Sequence, residues 1–351
     1  MARIQSIDIL RGGTIALMVL VNNPGNWQYN WAPLRHAEWN GLMFADLVFP
    51  LFLFIMGVSM YFSLSKGGFR LSRKMLRRTL LLILIGLVLN WLSGAVWGGG
   101  LSLSGLRYTG VLQRFALCFG ISALLICLLP RKSLSWIAII LLAGYSVALL
   151  LGNGYVYGPE NIVARTDRAI IPQNHLYNDH GIDPEGLLST IPGIAHTLIG
   201  FLVGALIGKR RQSEALFTGI GLLALGLIAS IWMPVNKKIW SPSFVLVLCG
   251  IGTLLLCGIY YLTDEKRIWK TSGFFKAFGT NAIYCYVISH FIGWAFILCG
   301  FQRWISGVCT DIGANSPISA TLISLGYSLL VVLVTWLTAL PLYKKGVCIK
   351  V

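Results

Sequence analysis

Residues 3–65 read RIQSIDILRGGTIALMVLVNNPGNWQYNWAPLRHAEWNGLMFADLVFPLFLFIMGVSMYFSLS. Two long apolar runs flank a polar, aromatic connection that carries one histidine, His36. Ionisable groups sit where lipid should be: Asp8 and Arg11 at the first edge, Asp46 opening the second run, with the amide of Asn22 closing the first. Charges inside membrane segments usually face a bundle interior or a cavity, because hydrocarbon does not tolerate them. If residues 7–22 are helical, Arg11 and Asn22 share nearly one azimuth about 16 Å apart along the axis. Asp8, three residues before Arg11, is placed to pair with it on that face. The alternative is an interfacial arginine neutralised by its neighbour.

The rest of the composition agrees with a membrane solvent. The 351 residues are 56% hydrophobic and 11% charged, with a mean hydropathy of +0.75, against about 25% charged in soluble domains. A spanning helix uses about 20 residues, so the length suits an all-α, polytopic bundle of about ten transmembrane helices forming a single domain over 1–351. The runs fall at about 5–23, 43–65, 75–95, 109–129, 134–152, 187–208, 214–233, 243–263, 277–299 and 317–342. The first run lacks a basic lead and a small-residue cleavage site, so it reads as a span and not a cleaved signal.

Nineteen of the 28 lysines and arginines, including the cluster Lys66, Arg70, Arg73, Lys74, Arg77 and Arg78, fall on one side of such a bundle, and seven on the other. The positive-inside rule then puts both termini in the cytoplasm and His36 outside. The net charge of +16 is thus a topology and lipid-headgroup signal, and nucleic acid is not an expected partner. Most of the eight cysteines lie in apolar runs and read as small hydrophobes; no paired His/Cys spacing indicates a metal.

The longest connection, 153–186, reads NGYVYGPENIVARTDRAIIPQNHLYNDHGIDPEG. Its Gly, Pro, Asn and Asp content predicts loop, not helix, and its length suits a lid or binding loop. His175 and His180 lack a helical frame and a third ligand, so they read as solvated. Asp183 and Glu185 either meet a cationic ligand or cap the helix that follows. Arg107 and Arg114, seven residues apart with Gln113 beside the second, share a face; Arg114 lies about five residues inside a span and needs anions or acceptors, with Asp46 as one candidate partner. His196 and His290 read as buried, hydrogen-bonded histidines, and Asn90 and Asn281 as helix-embedded amides.

The blocks RIQSIDILRG, VNN and HAEWNGLMFADLVFPLFLFIMGVSM, then GVLQRFAL at 110–117, DPEGLLSTIP at 183–192, KIWSPSFVL at 238–246 and FGTNAIYCYV at 278–287, resemble the membrane-bound acetyltransferases related to heparan-α-glucosaminide N-acetyltransferase. A weaker likeness is to the acyltransferase-3 group, whose first helix carries arginine, ten residues, then histidine. Here Asn22 stands where that group has histidine, which favours the glucosaminide-type family. The resemblance implies acetyl-CoA as co-substrate, a small-molecule or glycan amino-sugar acceptor, a bacterial inner-membrane location and a homodimer.

Acetyl transfer from a thioester to an amine needs a base for the amine proton and donors for the tetrahedral oxyanion. An imidazole titrates near neutrality, so His36 is the expected base, or the acetyl carrier. Asn22 would hold the thioester carbonyl or orient the ring, and Asp46, ten residues after His36, would fix its tautomer or hold the acceptor's ammonium. Arg11, Arg107, Gln113, Arg114 and Asn281 are the expected donor-binding residues, Arg114 being suited to a pyrophosphate or a pantetheine amide. Asp183 and Glu185 are the expected acceptor contacts. The competing class is a transporter of sugars or organic anions, which also places charges in a membrane cavity; against it stand the absence of an inverted repeat and a histidine in a loop instead of at the midplane.

Overall fold

The computed structural model describes residues 4–269 and 273–349. Among them the chain is α-helical, and the one β-type pairing is an isolated bridge between Asp179 and Ile182. Each of the ten apolar runs becomes a helix. Eight helices are long and apolar enough to cross a membrane: α2 (Val48–Lys66), α3 (Arg73–Gly94), α4 (Val111–Leu128), α5 (Ser133–Leu151), α7 (Thr190–Gly208), α8 (Gln212–Ala229), α9 (Pro242–Tyr260) and α13 (Pro317–Lys344). The pair α10 (Gly273–Thr280) and α11 (Ala282–Leu298), bent by 92°, makes a ninth where it is counted as one broken span. The run at 5–23 is α1 (Gln5–Asn22), kept less apolar by Gln5, Ser6, Asp8, Arg11 and Thr14. The chain is a multi-pass membrane protein.

The expectation of pure loop over 153–186 is corrected. Residues Ile162–Ile170 form a nine-residue helix, α6, because the Asn161 side chain accepts from the Val163 N–H at 2.9 Å and caps its first turn. The helix turns Val163 and Ala164 inward, and both are buried.

The helices divide into two compact units. One comprises Met1–His36, Met43–Phe49 and Ile259–Val351. Within it α1 lies against α10, α11 and α13, and α12 (Phe301–Gly313) lies against α13. The N-terminus of α1 has no local cap. Asp264, more than 250 residues downstream, accepts from the Gln5 and Ser6 N–H groups at 2.9 Å each, meeting orphan donors and complementing the helix dipole from a distant segment. Close approach of α1 to α10 requires glycine on both sides. A Cβ at Gly12 would lie 1.9 Å from the Phe275 carbonyl oxygen, and one at Gly279 1.9 Å from that of Asp8.

The second unit comprises Ala37–Leu42 and Pro50–Gly258. Here α3 pairs with α4, α7 contacts α4, α5 and α8, and α2 meets α7 backbone to backbone: a Cβ at Gly57 would fall 2.1 Å from the Thr197 oxygen. With hydrocarbon outside, helices gain from such close packing and not from burial against water. A cluster of Tyr145, Leu149, Val163 and Ile239, with Trp39, Tyr155, Ile162 and Leu188 against it, roots α6 onto the end of α5.

Gly12→Ala is expected to destabilise the protein by about 1–3 kcal/mol through overpacking, read as a lowered melting temperature in detergent. Gly221→Ala, in a helix position with nothing within 4 Å, should be neutral or slightly stabilising. Equal melting temperatures for the two variants would contradict the α1–α10 contact.

Candidate functional site

In the first unit the polar connection folds as a series of tight turns. Pro33 starts a short 3-10 turn, Ala32–Leu34, whose Leu34 is buried. The Asn26 carboxamide oxygen accepts from the Gln28 N–H at 2.8 Å, and Arg35 donates to the carbonyls of Asn30 (2.8 Å) and Gln28 (3.1 Å). These bonds deliver His36 from a fixed backbone. A second 3-10 turn, Phe44–Leu47, carries Asp46, which accepts from the Met43 N–H at 3.0 Å. Its other oxygen lies 2.7 Å from His36 Nδ1.

The Asp46 side chain is 1% exposed and that of His36 44%. A buried carboxylate accepts the Nδ1 proton, so the ring's basic lone pair is on Nε2. Asp46 thus orients the imidazole.

The other first-unit candidates are placed less uniformly. Arg11 lies 3.5 Å from Asp8, and the same nitrogen donates to the Gly279 carbonyl at 3.3 Å. Its charge is therefore neutralised on the predicted face, and it also steadies the end of α10 just before the bend. The Asn281 amide is buried and engages the chain near its end: Nδ2 donates to the Val347 carbonyl at 3.0 Å and Oδ1 accepts from the Ile349 N–H at 2.8 Å. Asn22 is exposed at the last turn of α1.

In the second unit a denser network joins the 106–110 turn to 175–189. Arg107 Nη2 donates at 2.6 Å to both Asp183 and Glu185, and its plane lies over the Tyr177 ring at 4.8 Å. Asp183 is 2% exposed. It also accepts from the Thr109 hydroxyl, from the Tyr177 N–H at 2.8 Å and from the Glu185 N–H at 2.9 Å. Burial alone would lower the Arg107 pKa, but Glu185 and Asp183 outweigh it and hold the group above its ordinary value. Asn90 donates to the carbonyls of Arg107 (2.9 Å) and Thr109 (2.7 Å), and the His175 ring stacks on Tyr108 at 4.0 Å. Among the described residues no three metal-ligating side chains converge.

Arg114 differs. It is 1% exposed; Nη2 donates to the Gly186 carbonyl at 3.1 Å and to the Ser189 hydroxyl, and its guanidinium lies 5.1 Å from the Trp240 ring centre. Among the described residues Nε and Nη1 have no hydrogen-bond partner, and neither has the Nε2 of buried Gln113 beside it. Asp46, a candidate partner on sequence grounds, is the partner of His36, and Arg114 takes a carbonyl and a hydroxyl instead.

Sequence reasoning missed Asp167, Thr109 and Ser189. Asp167 is 1% exposed on α6, accepting from the Leu187 and Leu188 N–H groups at 2.9 and 3.0 Å. Its second oxygen is pressed against Gly186, where a Cβ would lie 1.7 Å away. The available signal was spacing: Val163 and Asp167, four apart, share one face of a capped helix. Burial pushes Asp167 up to about 6, against the pull of the two backbone N–H bonds and Arg114 and with the push of Asp183.

A folded-state pKa above the unfolded value means the native state holds its proton more tightly between the two values. Stability from this group is therefore full below about pH 4 and lost as pH rises to about 6. Asp167→Asn should remove that loss, so the variant gains on the wild type by about 2–3 kcal/mol between pH 4 and pH 6.5. Melting temperatures across that range test it; a constant difference would refute the assignment.

Residues 3–225 match the model of a family described as heparan-alpha-glucosaminide N-acetyltransferase, catalytic. The chain is similar to the heparan-alpha-glucosaminide N-acetyltransferases of Homo sapiens, at 31% identity, and Mus musculus, at 30%. Each alignment covers 81% of this chain, with 52% of the human and 53% of the mouse protein. The chain thus spans about half the length of the curated relatives it matches. His36, Asp46, Arg107, Arg114, Asp183 and Glu185 all lie within the matched region, and Asn281 lies beyond it.

Proposed function

The chain belongs to the heparan-alpha-glucosaminide N-acetyltransferase family, and from that premise we propose that it moves an acetyl group from cytoplasmic acetyl-CoA to an amino sugar at the outer face of a bacterial inner membrane. The observation that carries the reading is the imidazole–carboxylate pair of His36 and Asp46, 2.7 Å apart with the carboxylate buried. The excess of lysine and arginine on the other side supports an outward His36.

In the proposed reaction the amine nitrogen of the sugar attacks the thioester carbonyl. His36 Nε2 takes the amine proton as the N–C bond forms, and Asp46 stabilises the resulting imidazolium. The C–S bond then breaks, and the thiolate of CoA leaves as the thiol with the proton from His36. Asn22, an amide with exposed donors, is assigned to the oxyanion. In the alternative order His36 Nε2 itself accepts the acetyl group and passes it to the amine.

The unmet N–H groups of Arg114 and Gln113 support donor-side roles, since buried donors without acceptors are costly and point to a ligand or ordered water. Arg11, half-buried and paired to Asp8, is assigned to the anionic part of CoA, and Asn281 to the same side through the segment it holds. The charge of Arg107 already belongs to Asp183 and Glu185. We assign these three to shaping the acceptor side, with Glu185, the more exposed acid, nearest the sugar amine. A dimer would follow the resemblance.

With glucosamine and acetyl-CoA in detergent or nanodiscs, the wild type is expected to release free thiol. His36→Ala should lower kcat by about 10²–10⁴-fold, and Asp46→Asn by at least about 10²-fold with little change in KM. Full activity in His36→Ala would overturn both orders of transfer. Counterflow of labelled sugar without thiol release would establish a transporter instead. Label retained on the protein after acetyl-CoA alone, and lost in His36→Ala, would select the carrier route.

A further inference from the structure

Of the six non-glycine residues with a left-handed backbone among those described, Trp240 is the one that is buried: its φ is +54° and it is 1% exposed. A bulky side chain rarely takes that conformation, because Cβ then crowds the following carbonyl. The connection between α8 and α9 holds it there with bonds from several directions, all inside the second unit. The Ser241 N–H donates to the Asn236 carbonyl at 2.9 Å, and the Ser241 hydroxyl accepts from the Asn236 N–H at 3.0 Å and donates to the Pro234 carbonyl at 2.9 Å. The Asn236 carboxamide accepts from the Ile239 N–H at 3.1 Å and donates to the Asn40 side chain at 3.1 Å. The Tyr145 hydroxyl donates to the Ile239 carbonyl at 2.5 Å. Strain fixed this firmly is the mark of a backbone set to aim one side chain.

What the turn aims is the indole. Its ring lies 5.1 Å from the Arg114 guanidinium, inside the range of about 6 Å for a cation–π contact. Phe244 and His196 wall it at 5.2 and 6.0 Å between ring centres. Arg114 needs such a support. Both of its protein acceptors, the Gly186 carbonyl and the Ser189 hydroxyl, take the same nitrogen, Nη2. Hydrogen bonds therefore tether the group at one corner and leave its plane to be set by packing. The two nitrogens without a partner among the described residues, Nε and Nη1, are those whose direction the ring then decides. Cation–π attraction is strongest where both members are out of water, and here each is 1% exposed.

We propose that Trp240 is a positioning residue for the acyl donor: its face holds the Arg114 guanidinium at the angle that keeps Nε and Nη1 open to an acceptor-rich group, a phosphate or an amide carbonyl of the donor. It rests on the donor-side role proposed for Arg114 above and adds the residue that aims it. Trp240 acts through Arg114, not by contact with the reacting atoms.

The test is CoA binding to the full chain in nanodiscs, read by titration calorimetry, with acetyl-CoA kinetics alongside. Trp240→Leu should weaken CoA about tenfold and raise the KM for acetyl-CoA by the same factor with kcat unchanged, since the contact serves ground state and transition state alike. Trp240→Phe keeps an aromatic face and should lose about threefold at most. Leucine and phenylalanine both leave the indole space under-filled, so a role in packing alone predicts matching losses, and matching losses overturn the proposal. In an Arg114→Gln background Trp240→Leu should cost no further affinity; additive losses overturn it as well. Fluorinated tryptophans installed at position 240 keep the shape of the ring while draining its negative face, which covers the case in which Trp240→Leu does not fold. CoA affinity should fall with each added fluorine at unchanged melting temperature, and a flat series refutes the assignment. A wild type that binds no CoA removes the donor role of Arg114 and this proposal together, whereas wild-type binding with a flat fluorine series removes only the role of Trp240.

Discussion

A buried charge in an apolar protein must be met by an opposite charge or by enough hydrogen bonds, because no water stands by to do it. This chain has 12 acids against 28 lysines and arginines, so acids are the scarce half of that requirement, and several of them serve more than one donor. Asp183 meets a guanidinium, a hydroxyl and two backbone N–H groups. Asp264 caps α1, Asp46 holds both the Met43 N–H and His36, and Asp167 holds the entry to α7. The acids fix how its turns are folded.

That division explains what was legible in the sequence. The spans were readable because hydrophobicity over about 20 residues is a property of composition. The relation of Asp46 to His36 was readable because both stand in one short connection, where a ten-residue gap between turns limits the geometry. Arg11 with Asp8 followed from helical spacing alone. Longer-range pairings were not legible. Asp264 reaches α1 across more than 250 residues, and Thr109 meets Asp183 across 74; no local periodicity encodes either contact. The helix within 153–186 was masked by the turn-forming residues on both sides of it, although Asn161 supplied the cap signal. Asn281 was picked out as a polar group in an apolar run, but the backbone it holds, at 347–349, is far away in sequence.

Satisfaction of hydrogen bonds also separates arginines that look alike in sequence. Arg107 and Arg114 are seven residues apart and were assigned the same task. Arg107 is paired to two carboxylates and lies over an aromatic ring; removing the arginine would leave two close acids uncompensated, one of them fully buried, so its first duty is to hold the two loops together. Arg114 has one carbonyl and one hydroxyl for five N–H donors and is almost wholly buried. The shortfall at Arg114 is of the kind met by an acceptor-rich ligand or by ordered water, and the same is true of Gln113 next to it. Of the two residues, then, the one with incomplete coordination is the better candidate for contact with an acyl donor, and the one with complete coordination is architecture. The same criterion applies around His36: Asp46 is buried with both oxygens engaged, which makes it an orienting group, while the imidazole it holds is 44% exposed and is the accessible member of the pair.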